Sequence, residues 1–168
     1  MFSKWKSKKE EKHVQRPLEI TSPVSGECVP LTGVPDDTFA GGHMGKGIAI
    51  EPIVGKLVAP FDGKVAHVVK TNHAVILEHS SGLQLLLHIG INTVSLKGKG
   101  FTSHIVSGDT VKAGQTLIEF DLDSIRAAGF STITPVIVTT SENFTWEVDC
   151  HYGQVTVGKE SVLTVASM

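Results

Sequence analysis

The sequence predicts an all-β protein: a β-sandwich or flattened barrel of two antiparallel sheets, with internal duplication and at most short helical turns. From Pro17 onward, short β-rich segments alternate with turns of Gly, Pro, Asn and Asp. No long amphipathic helical pattern interrupts them. A proline-led turn also recurs, Ser22-Pro23-Val24-Ser25-Gly26-Glu27 being echoed by Ala59-Pro60-Phe61-Asp62-Gly63-Lys64. Each copy feeds a new strand, as expected of two sheets packed face to face.

In order along the chain, residues 1–17 read as a basic flexible tail and residues 18–168 as one domain. A length of 168 residues supports a hydrophobic core without disulfides or metal. Residues 1–16 hold Lys4, Lys6, Lys8, Lys9, Lys12 and Arg16 against Glu10 and Glu11, a balance of +4, so with a net charge of -2 the remainder carries -6. The body is therefore unsuited to nucleic acid, whose phosphates need a basic face. Phe2 and Trp5 among the lysines suggest weak contact with an anionic membrane surface, although a solvated tail is the plainer reading. The N-terminus has no apolar segment of the kind that directs secretion, and no apolar run is long enough to span a bilayer, which points to the cytoplasm. Cys28 and Cys150 fit that compartment as reduced, buried thiols.

The segment from Thr71 to Val94 carries the candidate site. Thr71, His73, Val75, Leu77 and His79 share one parity of a strand, Ser80-Ser81-Gly82 forms a turn, and Leu85 to Ile89 is an apolar run suited to a strand covered on both faces. A two-residue turn at Ser80-Ser81 places His73 directly opposite His88, with Cβ atoms roughly 4.5–5.5 Å apart. A three-residue turn with Gly82 in a left-handed bulge shifts the register by one, and the rings then meet only if a side chain is re-aimed. Thr71, two residues before His73 and about 6.6 Å along the strand, puts a hydroxyl within reach of that ring. A lone histidine is ordinarily an incidental core or surface residue, and His13, His43, His67, His79, His104 and His151 take that reading. Two imidazoles and a threonine at the end of an apolar run form an expensive core. Further on, Gly108 to Leu117 holds two more glycine turns. Asp121 to Ala128 is the best helical candidate, with Asp as its cap and Gly129 as its stop.

Gly82, Leu85-Leu86-Leu87-His88-Ile89-Gly90-Ile91 and Thr93-Val94 together resemble the signature around the phosphorylated histidine of the glucose-type enzyme IIA (EIIA type 1) of the bacterial phosphoenolpyruvate-dependent sugar phosphotransferase system, in its standalone form. Thr71-Asn72-His73-Ala74 resembles the segment bearing that family's second active-site histidine. The likeness runs through Pro23-Val24-Ser25-Gly26-Glu27, Val34-Pro35-Asp36, Gly45 to Ile50, Leu96 to Phe101, Phe120-Asp121-Leu122, Thr134-Pro135-Val136 and Val155 to Gly158, covering about residues 18–160 in order.

The resemblance implies a cytoplasmic phosphocarrier that accepts a phosphoryl group on His88 from the histidine-containing phosphocarrier protein and passes it to an enzyme IIB domain of a sugar transporter. It implies attack by Nε2 of His88, with Nδ1 held by the Gly90 carbonyl, phosphoryl stabilisation by His73, and Thr71 orienting His73. It also implies an apolar docking rim, for which Val34, Phe39, Met44, Ile91 and Val94 are the candidates, with Asp36 as its acid. Asn92 stands where many members have Asp, which removes a charge available to a basic partner. No cofactor is required. The resemblance also allows zinc shared with a partner through His73 and His88.

Two other classes fit less well. Lipoyl and biotinyl carriers have similar glycine turns, but they present a lysine in a hairpin tip such as Met-Lys-Met, whereas Lys46 lies between Gly45 and Gly47. A zinc peptidase of the lysostaphin type needs a His-x-His, and His88 is followed two residues later by Gly90.

Overall fold

The computed structural model describes residues 16–139, 141 and 143–167. Of the expected tail, Phe2, Trp5 and the lysines lie outside the described residues. The central layer is an eight-stranded sheet in the order β13 (Gly153–Val155), β2 (Gly26–Pro30), β3 (Gly45–Pro52), β11 (Thr134–Thr139), β7 (Gln84–His88), β6 (Ala74–Glu78), β5 (Gly63–Val68) and β9 (Thr110–Val111). Every pairing in it is antiparallel. β1 (Leu18–Thr21), β14 (Ser161–Ser167) and β12 (Trp146–Cys150) form a second sheet, and β4 (Lys56–Val58), β10 (Thr116–Phe120) and β8 (Phe101–Ser103) a third.

The fold is thus all-β, with the layer opposite the large sheet divided in two rather than continuous. The division falls where the two echoed proline turns meet. The Val58 amide donates to the Pro23 carbonyl at 2.9 Å and the Thr21 hydroxyl to the Pro60 carbonyl at 3.2 Å. A proline has no N–H to return, so the small sheets touch there without joining into one ladder. The duplication is visible in the large sheet. β2 and β5 begin at the echoed glycines Gly26 and Gly63, and the halves β13-β2-β3-β11 and β9-β5-β6-β7 meet at β11 and β7.

One core lies between the layers. Ile20, Leu57 and Ile118 of the small sheets and Leu77, Leu85 and Leu87 of the large one are fully buried in it, each worth about 1.5–3 kcal/mol by transfer from water. Because β7 is apolar on both faces, Leu86 points the other way. It joins Ala49, Ala74 and Ile137 in a second cluster, covered by Leu31, Val34, Phe39, Ile91 and Ile133. This outer cluster carries the candidate site.

Among the described residues, two short α-helices interrupt the strands. α1 (Asp37–Ala40) is capped by Asp36, whose Oδ1 accepts from the Thr38 amide at 2.9 Å. α2 (Leu122–Ala127) is capped by Asp121, as the sequence predicts, through the Ser124 amide at 3.1 Å. It closes at Gly129, whose amide donates to the Arg126 carbonyl at 2.9 Å, while the Phe130 amide donates to the Ile125 carbonyl at 3.2 Å. Cys28 and Cys150 are free thiols, and burial pushes the Cys28 thiol up to about 12.

Candidate functional site

The β6–β7 hairpin closes through three residues. The His79 amide donates to the Leu83 carbonyl at 2.8 Å and the Gly82 amide to the His79 carbonyl at 2.9 Å. Gly82 is left-handed, with φ at +95°, the bulge position of a three-residue turn. Consequently Ala74, not His73, is paired with His88 across the hairpin. The register with His73 directly opposite His88 does not form.

The two rings nevertheless meet. Their centroids are 4.9 Å apart and their planes cross at 81°. β6 begins only at Ala74, and the preceding turn carries Asn72 at φ +58°, its amide donating to the Val69 carbonyl at 2.9 Å. His73 keeps one ladder bond, accepting from the Ile89 amide at 2.7 Å. Lying between a left-handed residue and the first strand residue, it escapes strict pleat alternation, and its ring reaches the face of His88.

Each ring is held at Nδ1. His88 Nδ1 lies 2.7 Å from the Gly90 carbonyl. A carbonyl only accepts, so the proton is on Nδ1 and the Nε2 lone pair is free. Gly90 has φ +73°, and a Cβ there would stand 2.6 Å from Thr93 Cγ2 and 2.8 Å from the Ser131 carbonyl oxygen. Only glycine fits. The following Ile91 amide donates to Ser131 O at 3.1 Å, and the buried Thr93 hydroxyl donates to Ile89 O at 2.6 Å. His73 Nδ1 lies 2.6 Å from Thr71 Oγ1, the contact the sequence predicts, although Thr71 sits in the turn and not on a strand.

Electrostatics keep the pair neutral. His73 is 7% exposed, and burial, with His88 beside it, lowers its pKa to about 4. His88 is also pushed below the usual histidine range by burial, against the opposing pull of the Gly90 carbonyl and of Asp36. Both rings are therefore uncharged at neutral pH.

The candidate rim separates into floor and lip. Val34, Phe39 and Ile91 are buried in the outer cluster, and the Phe39 ring lies 5.0 Å from that of His88. Met44 at 37% and Val94 at 54% exposure present apolar surface. Asn92 is exposed and left-handed at φ +61°, opening the 3-10 turn Thr93–Leu96. Asp36, expected only as a rim acid, is first of all the cap of α1, a role its place ahead of Phe39 would have allowed. Thr93, which buttresses Gly90, lies within the signature around His88 but was given no role from sequence, and Ser131 carried no sequence signal.

Among the described residues, no group of three or more His, Cys, Asp or Glu side chains is placed to hold a metal ion. The imidazole pair offers two nitrogens to an ion that takes four ligands.

Residues 18–144 match the family described as phosphoenolpyruvate-dependent sugar phosphotransferase system, EIIA 1. The chain belongs to that family. It is 40% identical over 153 residues to the glucose-specific EIIA component of Oceanobacillus iheyensis, covering 90% of this chain and 93% of that one. It is 44% identical over 147 residues to the beta-glucoside-specific EIIBCA component of Bacillus subtilis, covering 88% of this chain but 24% of that longer protein. The fold is similar to that of the glucose permease IIA from Mycoplasma capricolum, with a TM-score of 0.81, 34% identity and coverage of 90% and 96%. As an EIIA 1 protein, the chain is a phosphotransferase component with a phosphocarrier role in sugar uptake.

Proposed function

We propose that His88 carries the phosphoryl group as a phosphohistidine, taking it from the histidine-containing phosphocarrier protein and delivering it to an enzyme IIB domain of a sugar transporter. The observation that carries this reading is the 2.7 Å bond from His88 Nδ1 to the Gly90 carbonyl, which leaves Nε2 as the nucleophile beside a second imidazole. The Nε2 lone pair attacks phosphorus, the donor's P–N bond breaks, and its electron pair returns to the donor's ring nitrogen. Nδ1 keeps its proton throughout, and the carbonyl facing it stabilises the positive charge the ring gains. Transfer to the acceptor runs the same step in the opposite sense.

His73 stabilises the phosphoryl oxygens by donating from Nε2. That requires its Nδ1 to accept, which the Thr71 hydroxyl allows by donating to it. Phosphoryl transfer depends on alignment and charge stabilisation, so a fixed pair of neutral rings suffices. Met44 and Val94 supply apolar contact for the partners, and Asn92 leaves that contact one charge weaker than an aspartate would. An enzyme IIB partner is supported by relatives in which an EIIA part belongs to an EIIBCA component. The sugar, glucose included, is set by the receiving transporter. The chain acts in the cytoplasm, where its donor is, and no helix among the described residues is long and apolar enough to cross a membrane. No cofactor takes part in the transfer, and any zinc bound by His73 and His88 has its remaining ligands from a partner.

The test is incubation with phosphoenolpyruvate, enzyme I and the histidine phosphocarrier, followed by addition of an enzyme IIB domain. Acid-labile label should appear on the chain and then leave it for the acceptor. A chain that never takes up label overturns the reading.

A further inference from the structure

The Gly90 carbonyl that orients His88 is itself held from outside the hairpin. Ile91, which shares the peptide of that carbonyl, donates its amide to Ser131 O at 3.1 Å. Ser131 lies in the irregular segment between α2 and β11, and its neighbour Thr132 is buried at 2% exposure. The Thr132 hydroxyl donates to Glu51 Oε1 at 2.5 Å and accepts from the Arg126 guanidinium at 3.4 Å, with Arg126 and Glu51 3.5 Å apart. Both charged side chains are half-exposed, and such a pair does little alone. Its effect is concentrated in the hydroxyl between them, where the hydrogen bond to a carboxylate is charge-assisted and removed from water.

The connectivity makes this a brace between three elements. Arg126 is in the last turn of α2, Glu51 is on β3, and Thr132 lies two residues before β11. On its other side the segment is tied to α2 by the Gly129 and Phe130 amides. Ser131 O is thus fixed from both directions, and it would stand 2.8 Å from a Cβ on Gly90. A shift of this carbonyl passes through its 3.1 Å bond from the Ile91 amide to the Gly90–Ile91 peptide, and so to the ring bonded to the Gly90 carbonyl.

We propose that Thr132, clamped between Arg126 and Glu51, is a positioning residue for phosphoryl transfer, setting through Ser131 and Ile91 the Gly90 carbonyl that holds the His88 ring. The proposal rests on His88 being the phosphoryl acceptor, but its structural half is measurable without phosphate. In protein labelled with 15N-histidine, the ring nitrogen shifts of His88 report which nitrogen carries the proton. Thr132→Val, which keeps shape and removes the hydroxyl, should convert His88 from a single Nδ1–H form to a mixture of tautomers. It should also slow phosphoryl acceptance by about tenfold to a hundredfold, the scale of a displaced reacting group, with the dependence on donor concentration unchanged. Thr132→Ser should restore both, and Arg126→Gln, at a half-exposed position, should give a weaker form of both. Folded Thr132→Val and Arg126→Gln proteins with an unchanged His88 tautomer and wild-type acceptance overturn the positioning role. Absence of label on His88 in the wild type instead overturns the phosphohistidine reading, and the tautomer shifts still decide whether the brace sets the ring.

Discussion

The imidazole of His73 stands edge-on to that of His88, with 4.9 Å between centroids and 81° between planes. Each ring is bonded at Nδ1, one to a hydroxyl and one to a carbonyl. That difference assigns different work to two identical side chains. A carbonyl forces its ring to keep the Nδ1 proton and leave Nε2 bare, whereas a hydroxyl can donate and leave the ring with Nε2–H.

His73→Gln should therefore still accept a phosphoryl group at His88, because an amide also donates a hydrogen bond. Onward transfer should slow by about a hundredfold, or about 3 kcal/mol, the usual consequence of losing one fixed donor to a charge-bearing transition state. Thr71→Val, which loosens the ring without removing it, should give a milder defect. Single-turnover transfer to an enzyme IIB domain measures both, and wild-type rates in His73→Gln would remove His73 from the mechanism.

Gly90→Ala should destabilise the protein and loosen His88 together. A side chain at φ +73° costs about 1–3 kcal/mol of backbone strain. The new Cβ also meets Thr93 Cγ2 at 2.6 Å, and Thr93 has no freedom to turn away, being buried and bonded to the Ile89 carbonyl. A lowered denaturation midpoint with slower acceptance is expected, and an unchanged midpoint would contradict the close approach.

The fold class and the two histidines were legible in the sequence through alternation, a proline–glycine echo and the motifs around His73 and His88, whereas the Thr71 contact was expected along a strand and forms instead from the turn before β6. The hairpin register was not decided by the sequence. Ser80-Ser81-Gly82 serves a two- or a three-residue turn equally well, and the left-handed state of Gly82 chose between them. That His73 reaches His88 despite the shifted register depends on Asn72 adopting φ +58°, a choice that side-chain type permits but does not announce. The division of the second layer depends on which strand ends meet at Pro23 and Pro60. Arg126 and Thr132 are six residues apart, but Glu51 is 81 residues from Thr132 and joins them only in the folded protein.

Protonation should weaken the fold through His73. The free residue titrates near 6.5 and the folded one at about 4. Between those values the unfolded chain binds more protons, so stability falls as the pH drops from 6.5 towards 4, and this residue adds no further loss below that. Denaturation midpoints across this window should fall more steeply for the wild type than for His73→Gln. Parallel slopes would contradict the burial of a neutral ring. Phosphoryl acceptance should survive to a pH below the ordinary histidine value, since burial lowers the pKa of His88.

Val94→Asp should raise the donor concentration needed for half-maximal acceptance by about tenfold, as loss of an apolar contact worth about 1–2 kcal/mol would, while leaving the rate at saturation unchanged. Val94 is 54% exposed, so the fold should tolerate the change. An unaltered dependence on donor concentration would place the docking surface elsewhere.

The most direct measurement compares phosphoryl uptake by wild type, His88→Gln and His73→Gln after incubation with phosphoenolpyruvate, enzyme I and the histidine phosphocarrier. Intact mass counts the groups and acid lability identifies the bond. The wild type and His73→Gln should each gain one acid-labile phosphoryl group, carried on His88, and folded His88→Gln should gain none. Uptake by His88→Gln, with none by His73→Gln, would show that nucleophile and donor are reversed.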